Sequence, residues 1–154
     1  MNLTIRRANI QDIDDIIKLN EILFDLEYNN FDKTLDTERP ISNEWKSYFK
    51  DSITKNITLV ATIDDNIVGY MIWNLNSQYL YNTVKQAELN NMCILDEYRN
   101  LWIGTKLITE FKKICKDNNI QEIKVIASYE NINAINFYKK NGFNESELTL
   151  KIKI

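Results

Sequence analysis

Two β-rich runs, ITLVATI at 57–63 and IVGYMIW at 67–73, stand three residues apart around Asp64-Asp65-Asn66. That spacing leaves room for a hairpin with a three-residue turn, so antiparallel pairing is fixed in the middle of the chain. The flanking segments switch period. LTIRR at 3–7 is a short strand. Asn9 caps the helix after it, with Asp12 at the third position and Ile10, Ile13, Ile16, Ile17 and Leu23 near helical spacing. Residues 25–40 are polar and irregular, and Ser42 caps a second helix with Trp45, Tyr48, Phe49 and Ile53 on one side. QAELNNMCIL at 86–95 is a strand. The loop after it opens a helix that buries Ile103, Leu107, Ile108, Phe111, Ile114 and Cys115. IQEIKVIAS at 120–128 is another strand, and Asn131 caps a helix that stops at Asn141-Gly142. The tail, ELTLKIKI, alternates Leu148, Leu150, Ile152 and Ile154 with polar residues and predicts a half-buried strand. The order βααβββαβαβ predicts an α/β fold of mixed α+β kind, with helices on both faces of one sheet.

Nothing in the chain marks a linker or an internal repeat, so 154 residues read as a single domain spanning 1–154. There is no histidine. A Ser-His-Asp triad, a Cys-His pair, an HExxH zinc site and a histidine base are thereby excluded. Proton transfer falls to Asp, Glu, Tyr, Lys, Cys, a terminus or water. Cys93 and Cys115 cannot build a metal cage, so no metal is expected, and they read as reduced thiols in the core. A net charge of -3 argues against nucleic acid as a partner. The first residues lack the apolar stretch of a signal peptide, and no run has membrane-spanning length. The expectation is a cytoplasmic protein with neither a nucleic-acid nor a membrane partner.

The chemistry is concentrated in two segments. In AELNNMCILDEYRNLWIGTKL, 87–107, a strand runs into a turn holding Arg99, and the turn opens a helix at Gly104. Backbone N–H groups in such a turn and in a helix's first turn lack intrahelical partners. With the helix dipole they suit an anion such as pyrophosphate. Gly104 would let backbone and ligand approach closely, and Arg99 would add positive charge. Taken alone, the stretch reads equally as a plain β-loop-α connection with a capping glycine. In NINAINFYKKNGF, 131–143, Asn131, Ala134 and Tyr138 fall near one helix face, and Phe143 returns to the core after Gly142. Alone, that segment reads as an amphipathic helix whose Tyr138 keeps its hydroxyl at the rim.

Together the two segments resemble the GNAT superfamily of acetyl-CoA-dependent N-acetyltransferases. Its pyrophosphate motif, (Q/R)-x-x-G-x-(G/A), aligns with Arg99-Asn100-Leu101-Trp102-Ile103-Gly104. Its N-x-x-A-x-x-x-Y-x-x-x-G-F signature aligns with Asn131, Ala134, Tyr138, Gly142 and Phe143. The resemblance implies a central, mostly antiparallel mixed sheet flanked by helices. One position departs, because Trp102 stands where the motif has glycine. If that position requires positive φ, tryptophan is strained by about 1–2 kcal/mol. If it requires only a free N–H, the indole points away and packs against the helix or a partner subunit. Asn100 tolerates left-handed geometry.

The resemblance further implies acetyl-CoA as co-substrate, attacked directly by an amine. The backbone of Met92, Cys93 and Ile94 would hold the pantetheine arm, and an N–H near Met92 would face the thioester carbonyl. The pyrophosphate would lie on residues 99–105, Arg99 to Thr105, with Asn131, Ala134 and Tyr138 completing the cofactor site. Tyr138 would protonate the departing thiolate, and Glu88 would act as base through water or else be a strand carboxylate paired with a lysine. Plain strand alternation puts Glu88, Asn90 and Met92 on one face and Asn91 and Cys93 on the other, a phase that a bulge would alter. For the acceptor, a small-molecule or peptide amine, Glu27, Tyr28, Tyr79 and Tyr81 could supply charge and cation–π contact. The competing reading is a catalytically silent acyl-CoA-binding or regulatory module. The apolar tail could pair across a homodimer.

Overall fold

The computed structural model describes residues 2–75 and 82–154. The sequence-expected Tyr79 and Tyr81 lie outside the described residues.

Strand β1 (Leu3–Arg7) leads into a 3-10 turn at Ile10–Asp12 and helix α1 (Ile13–Asn30). The capping box forms as expected: Asn9 Oδ1 accepts from the Gln11 N–H at 2.9 Å, and Asp12 Oδ2 accepts from the Asn9 N–H at 2.7 Å. Asp12 also takes both arms of Arg6 at 2.7 and 2.9 Å, and this ion pair holds its carboxyl below the usual carboxylate range. Helix α2 (Asn43–Thr54) starts on Ser42, whose Oγ accepts from the Trp45 N–H at 3.2 Å.

Strands β2 (Thr58–Ile63) and β3 (Asn66–Asn74) form the expected hairpin, tighter than expected. Asp64 and Asp65 alone make the turn, at φ 47 and 68, while Asn66 belongs to β3. Two consecutive left-handed residues match the right-handed twist of the strands, which a three-residue turn is not needed to do. Strand β4 (Gln86–Ile94), helix α3 (Ile103–Asp117), strand β5 (Glu122–Val125) and helix α4 (Ile132–Lys140) complete the elements. The sheet order is β1-β2-β3-β4-β5, antiparallel through β4 and parallel between β4 and β5.

The sheet separates two cores. On one face Ile16, Phe49, Tyr70, Ile72 and Cys93 pack with α1 and α2; on the other Met71, Trp73, Leu89, Leu107 and Phe111 pack with α3. A buried hydrogen-bond chain ties the first core to the sheet. Asn20 Nδ2 donates to the Tyr70 hydroxyl at 2.7 Å, and Trp45 Nε1 donates to Asn20 Oδ1 at 2.7 Å.

The C-terminal segment departs from expectation. Residues 144–154 form no strand, and Leu148, Leu150, Ile152 and Ile154 are all exposed. Alternation specifies a strand only when a sheet edge accepts it. Among the described residues, no strand of this chain does so.

Candidate active site

Strand β4 is paired to β3 from Glu88 to Ile94, but to β5 only from Gln86 to Leu89. β5 ends at Val125, opposite Leu89, and the ladder stops there. Among the described residues no strand pairs with that edge of β4 from Asn90 to Ile94, which leaves backbone N–H and C=O groups facing the gap.

The gap begins at a bulge. Ile72 pairs with Asn91 and Trp73 with Leu89, so Asn90 is the extra residue. The bulge reverses the phase that plain alternation gives. Ala87 and Leu89 pack on the α3 face, and so do Met92 and Ile94 beyond the bulge, whereas Cys93 packs on the α1–α2 face. Glu88 therefore shares a face with Asn91 and Cys93, not with Met92. It forms an ion pair with Lys124 across the β4–β5 ladder, Oε2 to Nζ 3.5 Å.

After Ile94 the chain makes a 3-10 turn at Asp96–Tyr98 and enters the Arg99–Trp102 loop. Arg99 is fixed from two sides. Its Nε donates to the Ile94 carbonyl at 3.2 Å, and its guanidinium pairs with Asp96 at 2.7 Å. Asn100 and Trp102 both stand in the left-handed region, at φ 62 and 63. Position 102 thus does require positive φ, and tryptophan occupies it under strain of about 1–2 kcal/mol. The indole is 75% exposed, so it does not pack against its helix.

Helix α3 starts at this loop without a side-chain cap. Its first hydrogen bond runs from the Lys106 N–H to the Trp102 carbonyl, so the N–H groups of Ile103, Gly104 and Thr105 have no intrahelical partner. Gly104 also meets a packing need. A Cβ there would lie 2.9 Å from the Phe137 ring and 3.3 Å from Ile94 Cδ1. The glycine lets α3, α4 and the end of β4 meet.

Helix α4 is anchored differently. Asn131 Oδ1 accepts from the Ala134 N–H at 3.1 Å, and Asn131 Nδ2 donates to Glu27 Oε1 of α1 at 3.3 Å. Burial raises the Glu27 carboxyl, partly offset by the Asn131 hydrogen bond. Its neutral form therefore favours folding. That contribution is complete below the ordinary carboxylate pKa and is lost as pH rises through the raised one. Tyr138, one residue past the ring that meets Gly104, is half-buried between edge contacts with Phe137 and Phe143. Burial and then the charge of Glu27 push its hydroxyl up to about 12, so it holds its proton at neutral pH.

Other expected residues fall out as follows. Tyr28 already carries Lys33 over its ring, Nζ 4.5 Å from the centroid. Burial pushes the Cys93 thiol up to about 11, so it is protonated at neutral pH. The sequence allowed for a lysine beside Glu88 and for a bulge on this strand, and the structure locates them at Lys124 and Asn90. The bulge has no composition signal, and Lys124 becomes a partner of Glu88 only through strand register.

The sequence model of the acetyltransferase (GNAT) family matches residues 19–143. An N-alpha-acetyltransferase of Sulfurisphaera tokodaii is 32% identical over 149 residues, covering 92% of this chain and 80% of the relative. The PaiA N-acetyltransferase of Thermoplasma acidophilum, solved with coenzyme A, superposes with a TM-score of 0.80 at 23% identity, over 97% of this chain and 94% of that one. The aminoglycoside N-acetyltransferase AAC(6')-Iy, also solved with CoA, gives 0.78 at 14% identity, over 99% and 95%. With the family model matching residues 19–143 and a 32% identical relative covered over 80% of its length, this chain belongs to the GNAT family and is an acyltransferase.

Proposed function

We propose that the protein transfers the acetyl group of acetyl-CoA to a primary amine by direct attack, acting on a small molecule or on a peptide or protein amino group. The observation that carries this reading is the convergence of three elements. Ile94, at the end of the open β4 edge, meets Gly104 in the uncapped first turn of α3, and Gly104 meets Phe137 beside Tyr138. The N–H groups of Ile103, Gly104 and Thr105 suit a pyrophosphate, and the backbone of Met92, Cys93 and Ile94 suits the amide-bearing pantetheine arm. Arg99 adds charge reduced by its pairing with Asp96. Acetyl-CoA supplies a thioester carbon open to a nucleophile, and an N–H near Met92 polarises its carbonyl.

The chain's own groups handle the protons. An alkylamine of pKa about 10 must lose roughly three pK units' worth of proton affinity at neutral pH, about 4 kcal/mol. Glu88 takes that proton through water, in competition with its ion pair to Lys124. Glu27, half-buried and backed by Asn131, attracts the incoming ammonium. A tyrosine near 12 facing a thiolate of pKa about 8.5 would transfer its proton uphill by about 5 kcal/mol. Tyr138 therefore donates a hydrogen bond to the leaving sulfur. A cation beside Glu27 cancels part of the charge that raises Tyr138 and brings full transfer closer. The name of the Sulfurisphaera tokodaii relative supports a peptide's terminal amino group as the first acceptor to try. The reading includes a cytoplasmic setting, one domain over 1–154, and a homodimer.

The test is calorimetric titration with acetyl-CoA, free CoA and NAD, followed by acetyl transfer to a peptide amine and to small amines. Micromolar binding of both CoA forms, none of NAD, and transfer to one amine class are expected. Failure to bind acetyl-CoA would overturn the reading. Binding with no transfer to any amine would leave a silent acyl-CoA-binding module.

A further inference from the structure

Trp102 keeps a strained backbone with no side-chain hydrogen bond or ring contact to offset it. It holds φ 63, a conformation that a bulky side chain rarely adopts, at a motif position where glycine would carry no such penalty. Among the described residues no ring stacks on its indole and no hydrogen bond holds it, and the residue is 75% exposed. Leu101 beside it is 40% exposed, so an apolar pair faces solvent at the entry to α3.

That pair stands where the proposed co-substrate changes direction. On the acetyl-CoA reading, the pyrophosphate meets the N–H groups of Ile103, Gly104 and Thr105, and the pantetheine arm runs back along Met92 to Ile94. The other end of the pyrophosphate carries adenosine, which must leave the turn away from β4. Adenine has two flat π-faces, and an indole on the residue that opens the helix offers a matching one. Glycine at that position offers none. The groups that could compete for this place are committed elsewhere. The Arg99 guanidinium, which could also stack on a base, is held by Asp96 and by the Ile94 carbonyl. Tyr129, also strongly exposed, precedes Asn131 at the start of α4, where Asn131 reaches Glu27 of α1.

We propose that Trp102 is the stacking platform for the adenine ring of acyl-CoA, and so a specificity residue for the nucleotide end of the co-substrate. The assignment rests on the acetyl-CoA reading above. Stacking covers the indole face, and the stabilised complex offsets the strain that the loop carries in the protein alone. The contact also selects between acyl carriers. An acyl group on CoA gains it, whereas one on phosphopantetheine without the nucleotide does not.

Calorimetric titration of the full chain with CoA and with 4′-phosphopantetheine, which lacks the adenosine, tests this. Trp102→Gly returns the residue of the family motif, so the loop keeps its left-handed position without a side chain. Its dissociation constant for CoA is expected to rise about tenfold while that for 4′-phosphopantetheine holds, and Trp102→Phe should keep most of the CoA affinity. Indole fluorescence gives a second readout on the unaltered chain. Trp73 is buried and Trp45 half-buried, so a quench seen with CoA, absent with 4′-phosphopantetheine and lost in Trp102→Phe reports on Trp102. Equal CoA affinity in Trp102→Gly and the unaltered chain overturns the proposal. So does an equal loss for both ligands, which would assign the indole to the phosphate turn itself. In either case an unaltered chain that binds CoA leaves the acetyl-CoA reading standing, whereas one that binds neither ligand overturns both.

Discussion

Helix α4 begins on a side-chain cap and helix α3 begins on a strained, exposed tryptophan. At α4, Asn131 satisfies the Ala134 N–H and fastens the helix to Glu27 of α1. At α3, no side chain among the described residues accepts from the first turn, and Trp102 supplies only its carbonyl. A cap of the α4 kind contributes about 1 kcal/mol. Leaving α3 without one forgoes that stability and keeps three N–H groups and the positive end of a fifteen-residue helix unneutralised. The capped helix holds a tyrosine in place, and the uncapped one is left ready for an anion. The start of α3 meets the second half of α4 at the Gly104–Phe137 contact.

The widest separation between the two ends should come from Tyr138→Phe. On the proposed role of Tyr138 at the leaving sulfur, turnover is expected to fall about 100-fold with acetyl-CoA affinity nearly intact. Steady-state kinetics beside calorimetry decide it, and unchanged turnover would remove Tyr138 from the chemistry. Between the two ends sits Glu88. Glu88→Gln should lower the rate near neutral pH by about tenfold and shift the pH–rate profile upward, where more of the amine is already neutral. An identical profile would reduce Glu88 to the partner of Lys124. The smallest effect belongs to Trp102→Gly. Relief of left-handed strain, less the extra freedom of glycine in the unfolded chain, should stabilise the fold by roughly 1 kcal/mol, or about 2–4 °C in melting temperature. A lower melting temperature would show that the indole makes contacts exceeding its strain.

The local grammar of this chain is legible wherever the deciding atoms are close in sequence. The Asn9–Asp12 capping box, the Ser42 and Asn131 caps and the stop at Gly142 are decided within four residues. The same holds for the hairpin, except that its turn shortens to Asp64-Asp65 because two left-handed aspartates already supply the twist. The site was less legible. Glu88 and Lys124 are thirty-six residues apart and meet only because β4 and β5 are parallel in that register. The bulge at Asn90, which turns Met92 to the α3 face, depends on how β3 and β4 pair rather than on either strand alone. Gly104 sits in a motif position, yet its hydrogen side chain is demanded by the Phe137 ring of another helix. The tail carries a clear strand pattern, but pattern gives a strand its two faces and not its neighbour.

By itself, then, the sequence determined the succession of elements, the family pattern on residues 99–104 and 131–143, and the exclusion of histidine chemistry, since each depends on residue identity or short spacing. The tertiary structure alone decided that the β4–β5 ladder ends at Leu89, that Trp102 adopts φ 63, and that Glu27 is brought to Asn131 from 104 residues away. Those outcomes follow from which strands run out of partners and which helices pack close, and such competition is settled only when the whole chain has folded.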